Sequence, residues 1–224
     1  MVGRSLVVAD VHLGVEAELR SAGVRVPSQR RRILERVEEL VRQAKPKRLV
    51  LLGDLRHSIP LPERRERREV DALLRGFESM AQEVVLVKGN HDAGIEAVAG
   101  GVEVCRAFAE AGVLMLHGHA LHPLADFRHL LLAHAHPVVE FEDAAGGRQR
   151  EKVWVELRLE QERAEEMGLE RGFGVTVMPA FGELTWGVRV NGEPLSGAVL
   201  RRFELGRAEV YLLDGTCLGS VREL

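Results

Sequence analysis

Asp10 and His12 follow the apolar run Leu6-Val7-Val8-Ala9, and Asp54 follows Leu49-Val50-Leu51-Leu52-Gly53. Asn90, His91 and Asp92 follow Val84-Val85-Leu86-Val87-Lys88-Gly89. His117 follows Val113-Leu114-Met115-Leu116, while His134 and His136 follow Leu130-Leu131-Leu132-Ala133. These side chains are hard oxygen and imidazole donors with no thiolate among them. Such a set suits Mn, Fe, Zn or Ni better than calcium or a lone magnesium. Seven donors (Asp10, His12, Asp54, Asn90, His117, His134 and His136) are too many for one ion and about right for two that share a carboxylate. Two ions roughly 3.5–4 Å apart can hold a hydroxide between them and clamp both oxygens of an in-line displacement. Metal binding brings the pKa of that water toward neutrality, so no separate strong base is needed. An acid for the leaving group is still required. His91 stands beside Asn90, and Asp92 is placed to orient His91 or raise its pKa.

The positioning elements follow from the pattern. Each donor comes after a short run of apolar β-formers, as in strands covered on both faces of an α/β sheet. Gly89 lets the chain turn sharply as it leaves such a strand. In open α/β sheets, ligands bind at the carboxyl ends of the strands. In extended chain, the spacing of Asp10 and His12 places both side chains on one face. Leu13-Gly14 opens a long loop. Ser28 is a candidate cap for a helix with an apolar face of Ile33, Val37, Leu40, Val41 and Ala44, stopped by Lys45-Pro46-Lys47. That βαβ pattern implies parallel strands and a right-handed crossover. Beyond Arg56 and His57 come a proline-containing loop and a charge run over residues 63–69. The run reads as the solvated start of a second helix buried through Val70, Leu73, Leu74 and Phe77. A minority reading gives one of Arg64, Arg65, Arg67 or Arg68 a substrate-facing role.

Residues 102–105 and 113–116 read as strands, and 118–128 as a loop carrying His119, His122 and Asp126. From residue 138 the pattern turns antiparallel. Strands are expected at 138–141, 153–157, 175–178, 187–190 and 210–213, with turns at Gly146-Gly147, Asn191-Gly192 and Asp214-Gly215. A polar piece at 160–172 is a short helix or an exposed excursion. The whole chain, 1–224, reads as one α/β domain, a four-layer α-β-β-α sandwich of two mixed sheets between helices.

Composition sets bounds. With 224 residues, 46% apolar and 29% charged, the chain can bury a substantial core. A net charge of −3 argues against a generic nucleic-acid-coating protein while leaving room for local basic patches. Aromatic residues make up 4%, too few for an extended base-stacking platform. Cys105 and Cys217 lie far apart and suggest neither a disulfide framework nor a thiolate metal site. No apolar stretch has the length of a membrane span, and the first apolar run is no signal h-region, so the expected compartment is the cytoplasm.

Asp10-x-His12, Gly53-Asp54-x-x-His57, Gly89-Asn90-His91-Asp92, His117-Gly118 and His134-x-His136 together resemble the five motifs of the calcineurin-like metallophosphoesterases. Within them the chain resembles the ICC-like phosphoesterases, an archaeal group related to the SbcD nuclease, with bacterial members encoded beside a DNA ligase and a helicase. Met178-Pro179-Ala180-Phe181 and Leu212-Leu213-Asp214-Gly215-Thr216 extend the similarity over nearly the whole chain. The resemblance implies one metal held by Asp10, His12, Asp54 and His136, and a second held by Asp54, Asn90, His117 and His134. It makes Asp54 the bridge and His91 the acid. The last family motif normally begins with Gly where this chain has Ala133, a change that removes no ligand. His57 falls at a variable position and is expected to support a ligand or, with Arg56 and Asn90, to contact substrate. DNA or RNA is the substrate the resemblance favours, and a repair setting with partner proteins follows from the same relatives.

Plainer readings apply to single residues. A lone histidine at a strand end is more often structural, and His119, His122 and His129 are read that way. Cys105 reads as a small buried apolar residue. An Asp after a strand is commonly a turn residue, and Asp54 alone would mean no more. Five donor-bearing strand ends in the family's order carry the argument instead. The functional classes are then a dinuclear phosphodiesterase acting on DNA or RNA, and a small-molecule phosphodiesterase or phosphomonoesterase, for example on a cyclic nucleotide. A catalytically silent interaction module ranks last, because it predicts lost ligands.

Overall fold

The computed structural model describes residues 1–58 and 64–224, and the side chains of all of these except Arg64 and Arg65. The proline-containing loop, Glu63, and any role for the Arg64 and Arg65 side chains therefore lie outside the described residues. The chain divides into two compact units, Met1–Ala111 with Phe181–Thr185, and Gly112–Ala180 with Trp186–Leu224.

The first unit contains β1 (Ser5–Ala9), α1 (Val15–Ser21), α2 (Arg30–Ala44), β2 (Arg48–Leu52), α3 (Arg64–Glu78), β3 (Glu83–Val87), β4 (Glu103–Cys105) and β5 (Phe108–Glu110). Its sheet runs β1-β2-β3-β4, and every pairing in it is parallel. Mixed strand direction is therefore confined to the second unit. β2 is buried on both faces, as its continuous apolar run requires. The register matters most for function. Ala9 pairs with Leu52, and Leu52 with Val87, so β1, β2 and β3 end at one level. Whatever follows them must share one edge of the sheet.

The core of this unit joins Leu49, Leu51 and Leu86 to Ile33 and Val37 of α2 and to Val70, Leu73, Leu74 and Phe77 of α3. Each such side chain contributes about 1.5–3 kcal/mol when fully buried. α2 ends at Lys45, whose left-handed backbone precedes Pro46, as expected. Its start differs slightly: Gln29 occupies the capping position, and the Gln29 N–H donates to the Glu16 carboxylate. α1 lies where a loop is expected. Seven residues make two turns, too few to display a helical period.

The second unit contains β6 (Val113–Leu116), β7 (His129–Leu132), β8 (Pro137–Glu142), β9 (Arg148–Arg158), α4 (Gln161–Glu166), β10 (Gly174–Val177), β11 (Val188–Arg189), β12 (Glu209–Leu212) and β13 (Cys217–Ser220). Its strands run β11-β8-β9-β10-β7-β6, with β12 on β9 and β13 on β12. β8, β10 and β12 are antiparallel to β9, while β6 and β10 are parallel to β7. Leu116 pairs with Leu132, and Leu132 with Val177. Again the strand ends are level, and His117 and the His134–His136 turn leave from one edge. The α/β class with two sheets is the one that the sequence implies. No helix among the described residues is long and apolar enough to cross a membrane.

Candidate metal centre

In the first unit, the segments following β1 and β2 stay paired after the strands end. Asp10 N–H donates to Gly53 O at 3.2 Å, His12 N–H to Asp54 O at 2.9 Å, and Leu13 N–H to Leu55 O at 2.9 Å. His57 N–H then returns to Leu13 O at 2.9 Å. The N–H of Gly182 donates to Asp10 O at 3.0 Å, fixing that residue from a third side. These rungs carry Asp10, His12 and Asp54, all buried.

The extended spacing expected of Asp10 and His12 does not hold. β1 ends at Ala9, and both residues adopt left-handed backbone, with φ of 51° and 47°. Asp54, His134 and His136 do the same, at 48°, 73° and 44°. Among the described residues, seven that are not glycine have positive φ, and the other two are Lys45 and Ala111. Five of the seven are candidate ligands. Left-handed backbone costs about 1–2 kcal/mol for an ordinary residue, and such strain gathers at functional sites.

Asp54 lies at the centre of the first-unit cluster. Its Oδ1 accepts the His91 N–H at 2.9 Å, and its Oδ2 faces His12 Nε2 at 3.6 Å and His91 Nε2 at 3.9 Å. Gly89 is required here, because a Cβ at that position would lie 2.1 Å from Asp54 Oδ1. His12, His57 and His91 each offer a ring nitrogen within 4.8 Å of the others. The His91 Nδ1–H donates to the carbonyl of His57 at 2.5 Å, and its Nε2 is the ring nitrogen that faces Asp54. The His57 Nε2–H donates to Glu18 at 2.5 Å, and its Nδ1 lies 3.3 Å from His12 Nδ1. With His57 neutral, its Nδ1 accepts from His12 Nδ1–H, and the lone pair of His12 Nε2 is presented toward Asp54. Glu18 had no signal in the sequence, since α1 itself was not visible there.

Two expectations change. Asp92 is wholly buried, and its carboxylate accepts from Gly89 N at 2.8 Å, Leu55 N at 3.0 Å and Arg56 N at 3.5 Å. It ties the segment after β2 to the segment after β3, and the carbonyl of His57 is what orients His91. Arg56 is 1% exposed, and its guanidinium donates to Ser58 O at 2.8 Å and Ala93 O at 2.6 Å. Substrate cannot reach it, so the expected contact through Arg56 is withdrawn. Asn90 is exposed at the turn after β3.

In the second unit, His117 is buried, and its Nε2 lies 3.1 Å from His134 Nδ1. His119, read as structural from sequence, stands close by, its ring 5.3 Å from that of His117. His136 donates from Nδ1 to Trp186 O at 3.1 Å, which makes Nε2 its candidate ligand nitrogen. His122 and His129 stay apart from this group: His122 meets Pro123 O, and His129 meets Thr176 Oγ1 at 2.9 Å. The donor set suits a divalent transition metal: imidazoles in both units, and the buried carboxylates of Asp10 and Asp54 in the first.

The calcineurin-like phosphoesterase family profile matches residues 3–170, and the chain belongs to that family. It is accordingly a metal-dependent phosphoesterase with His and Asp groups that could hold divalent metals. Among solved structures, it is similar to the nuclease MPE of Pseudomonas putida at 25% identity, over 93% of this chain and 84% of that one, with a TM-score of 0.58. The E. coli phosphoesterase YfcE is 18% identical over 96% of each chain, with a TM-score of 0.45. A protein of unknown function from Aquifex aeolicus, AQ665, is 19% identical over 59% of this chain and 78% of that one, at 0.41. No curated protein matches significantly.

Proposed function

We propose that residues 1–224 act as one dinuclear phosphodiesterase domain that hydrolyses DNA or RNA in the cytoplasm. Manganese is the metal expected first, with iron, zinc and nickel as alternatives. Asp10, His12, Asp54 and His136 would hold one ion, and Asp54, Asn90, His117 and His134 the other. The observation that carries this reading is the left-handed backbone at five of these ligands. The nucleic-acid substrate is supported by the similarity to the nuclease MPE.

When bound, the ions supply Lewis acidity toward phosphoryl oxygens and lower the pKa of water. The protein's own groups do the rest. Asp54 is held in place by the His91 N–H. His91, fixed through Nδ1 on the His57 carbonyl, carries the transferable proton on Nε2 and delivers it to the leaving oxygen. His57 and Glu18 hold the His12 ring in its ligand tautomer.

The test is Mn²⁺ added back to metal-stripped protein, against bis-p-nitrophenyl phosphate, p-nitrophenyl phosphate, and single- and double-stranded DNA and RNA. Turnover of the diester and of one nucleic acid is the expected result. Diester turnover without strand cleavage would move the substrate to a small molecule such as a cyclic nucleotide. Asp54→Asn should lower the content of both metals together, and two full equivalents retained would sink the bridging assignment.

A further inference from the structure

We propose that Trp186 is a base-stacking residue of this site, an inference that rests on the nucleic-acid reading above. Trp186 is 77% exposed, the most exposed large apolar side chain among the described residues. A tryptophan that buries itself hides about 150–250 Å², and this one forgoes most of that gain. Its backbone, by contrast, is pinned. The Trp186 carbonyl accepts from His136 Nδ1 at 3.1 Å, and two residues on, Val188 N–H donates to His136 O at 3.1 Å. Between them Gly187 packs so closely that a Cβ would lie 2.3 Å from Val138 Cγ1 and 2.5 Å from His136 O. The indole is thus carried on a rigid strut, hydrogen-bonded on both flanks to a candidate ligand, with its face open to solvent.

A solitary exposed apolar residue is ordinary on a protein surface. Fixation to a ligand is what sets this one apart. Arg189, three residues on, and Arg150 both pair with Glu140, at 2.8 and 2.7 Å, which offsets their charge toward a strand. One indole against one base adds affinity without that charge, and it tolerates any sequence because every base has a π-face. The few aromatics of this chain exclude a long platform but not a single ring at the site.

The test uses the metal-loaded full chain carrying His91→Ala, which keeps strands intact while binding is measured. Short oligothymidylate and an abasic strand of equal length are titrated, read by tryptophan fluorescence and by strand anisotropy. Oligothymidylate should quench the fluorescence. Adding Trp186→Ala should weaken its binding about 5- to 150-fold, the range for one stacked base. Trp186→Phe should keep most of the affinity, and the abasic strand should bind both forms alike. Equal binding of oligothymidylate with and without the indole overturns the stacking inference and leaves the nuclease reading standing. An equal loss on the abasic strand also overturns it, by showing a structural effect. If the parent binds no strand, while the protein with His91 intact still cleaves bis-p-nitrophenyl phosphate, the nucleic-acid reading fails and takes this inference with it.

Discussion

The two units present histidines at level strand ends, but they hold them differently. After β1 and β2 the backbone continues as a ladder, and buried carboxylates tie it to the segment after β3: Asp54 takes the His91 N–H, and Asp92 takes those of Gly89, Leu55 and Arg56. After β7 the chain alternates Ala133, His134, Ala135, His136, with the alanines buried and the histidines half-exposed. There a short turn, Ala135 N–H to Ala133 O at 2.9 Å, and the Trp186–Val188 strut do the holding. His91, the proposed acid, lies on the edge tied by buried carboxylates, while the other edge is tied by backbone hydrogen bonds and the His136–Trp186 contact. Preorganisation matters most where geometry enters the transition state.

The sharpest test of this contrast is His91→Ala. Turnover should fall about 10²–10⁴-fold with metal content retained, because acid catalysis contributes that much. His134→Ala should do the reverse and lose metal first. Metal analysis beside kcat separates the two, and unchanged turnover in His91→Ala would remove that residue from the chemistry.

Next in size is Asp92→Ala, a test of stability. It leaves buried N–H groups without their carboxylate, at about 1–3 kcal/mol each when unsatisfied. Metal-free protein should melt markedly lower, whereas metal-free His134→Ala should melt close to wild type. Equal losses would erase the distinction between the two edges. Glu18→Gln is smaller. Loss of a partner that orients a ligand weakens metal affinity about 10-fold at the low end of the usual range, and Glu18 is largely exposed. Competition with a chelator measures it, and an unchanged affinity would mean that His57 holds its tautomer without help.

Much of this was legible because strand ends are written locally. Leu49-Val50-Leu51-Leu52 can hardly be anything but a buried strand, and the donors follow it directly. The helices at Ile33 and Val70 showed their period over about three and two turns. α1, β5 and β13 did not, being seven, three and four residues long. The roles of Arg56 and Asp92 were illegible for another reason. A buried arginine on two carbonyls and a reachable arginine beside a ligand are spelled the same way, and only tertiary packing separates them. The left-handed backbone at Asp10 and His12 was equally hidden, since no glycine marks it.

The last prediction sets the two ends of β7 against each other. His134 leaves its carboxyl end as a candidate ligand, while His129 opens the strand and hydrogen-bonds Thr176 on β10. Burial holds the His129 imidazole below the usual histidine range, and Arg158 and Arg128 push the same way. The folded chain therefore keeps this ring neutral at a pH where the unfolded chain, with a histidine pKa near about 6.5, takes up a proton. The stability it contributes is complete above that unfolded value and is lost as pH falls from there through the lower folded one. Metal-free protein should lose more of its thermal midpoint between pH 7.5 and pH 5.5 than His129→Gln does, a small difference beside the effects above. Metal must be absent, because ligand protonation would otherwise release it over the same range. Identical pH profiles would show that burial does not keep the His129 ring neutral, and the two roles assigned along this strand would have to be argued from geometry alone.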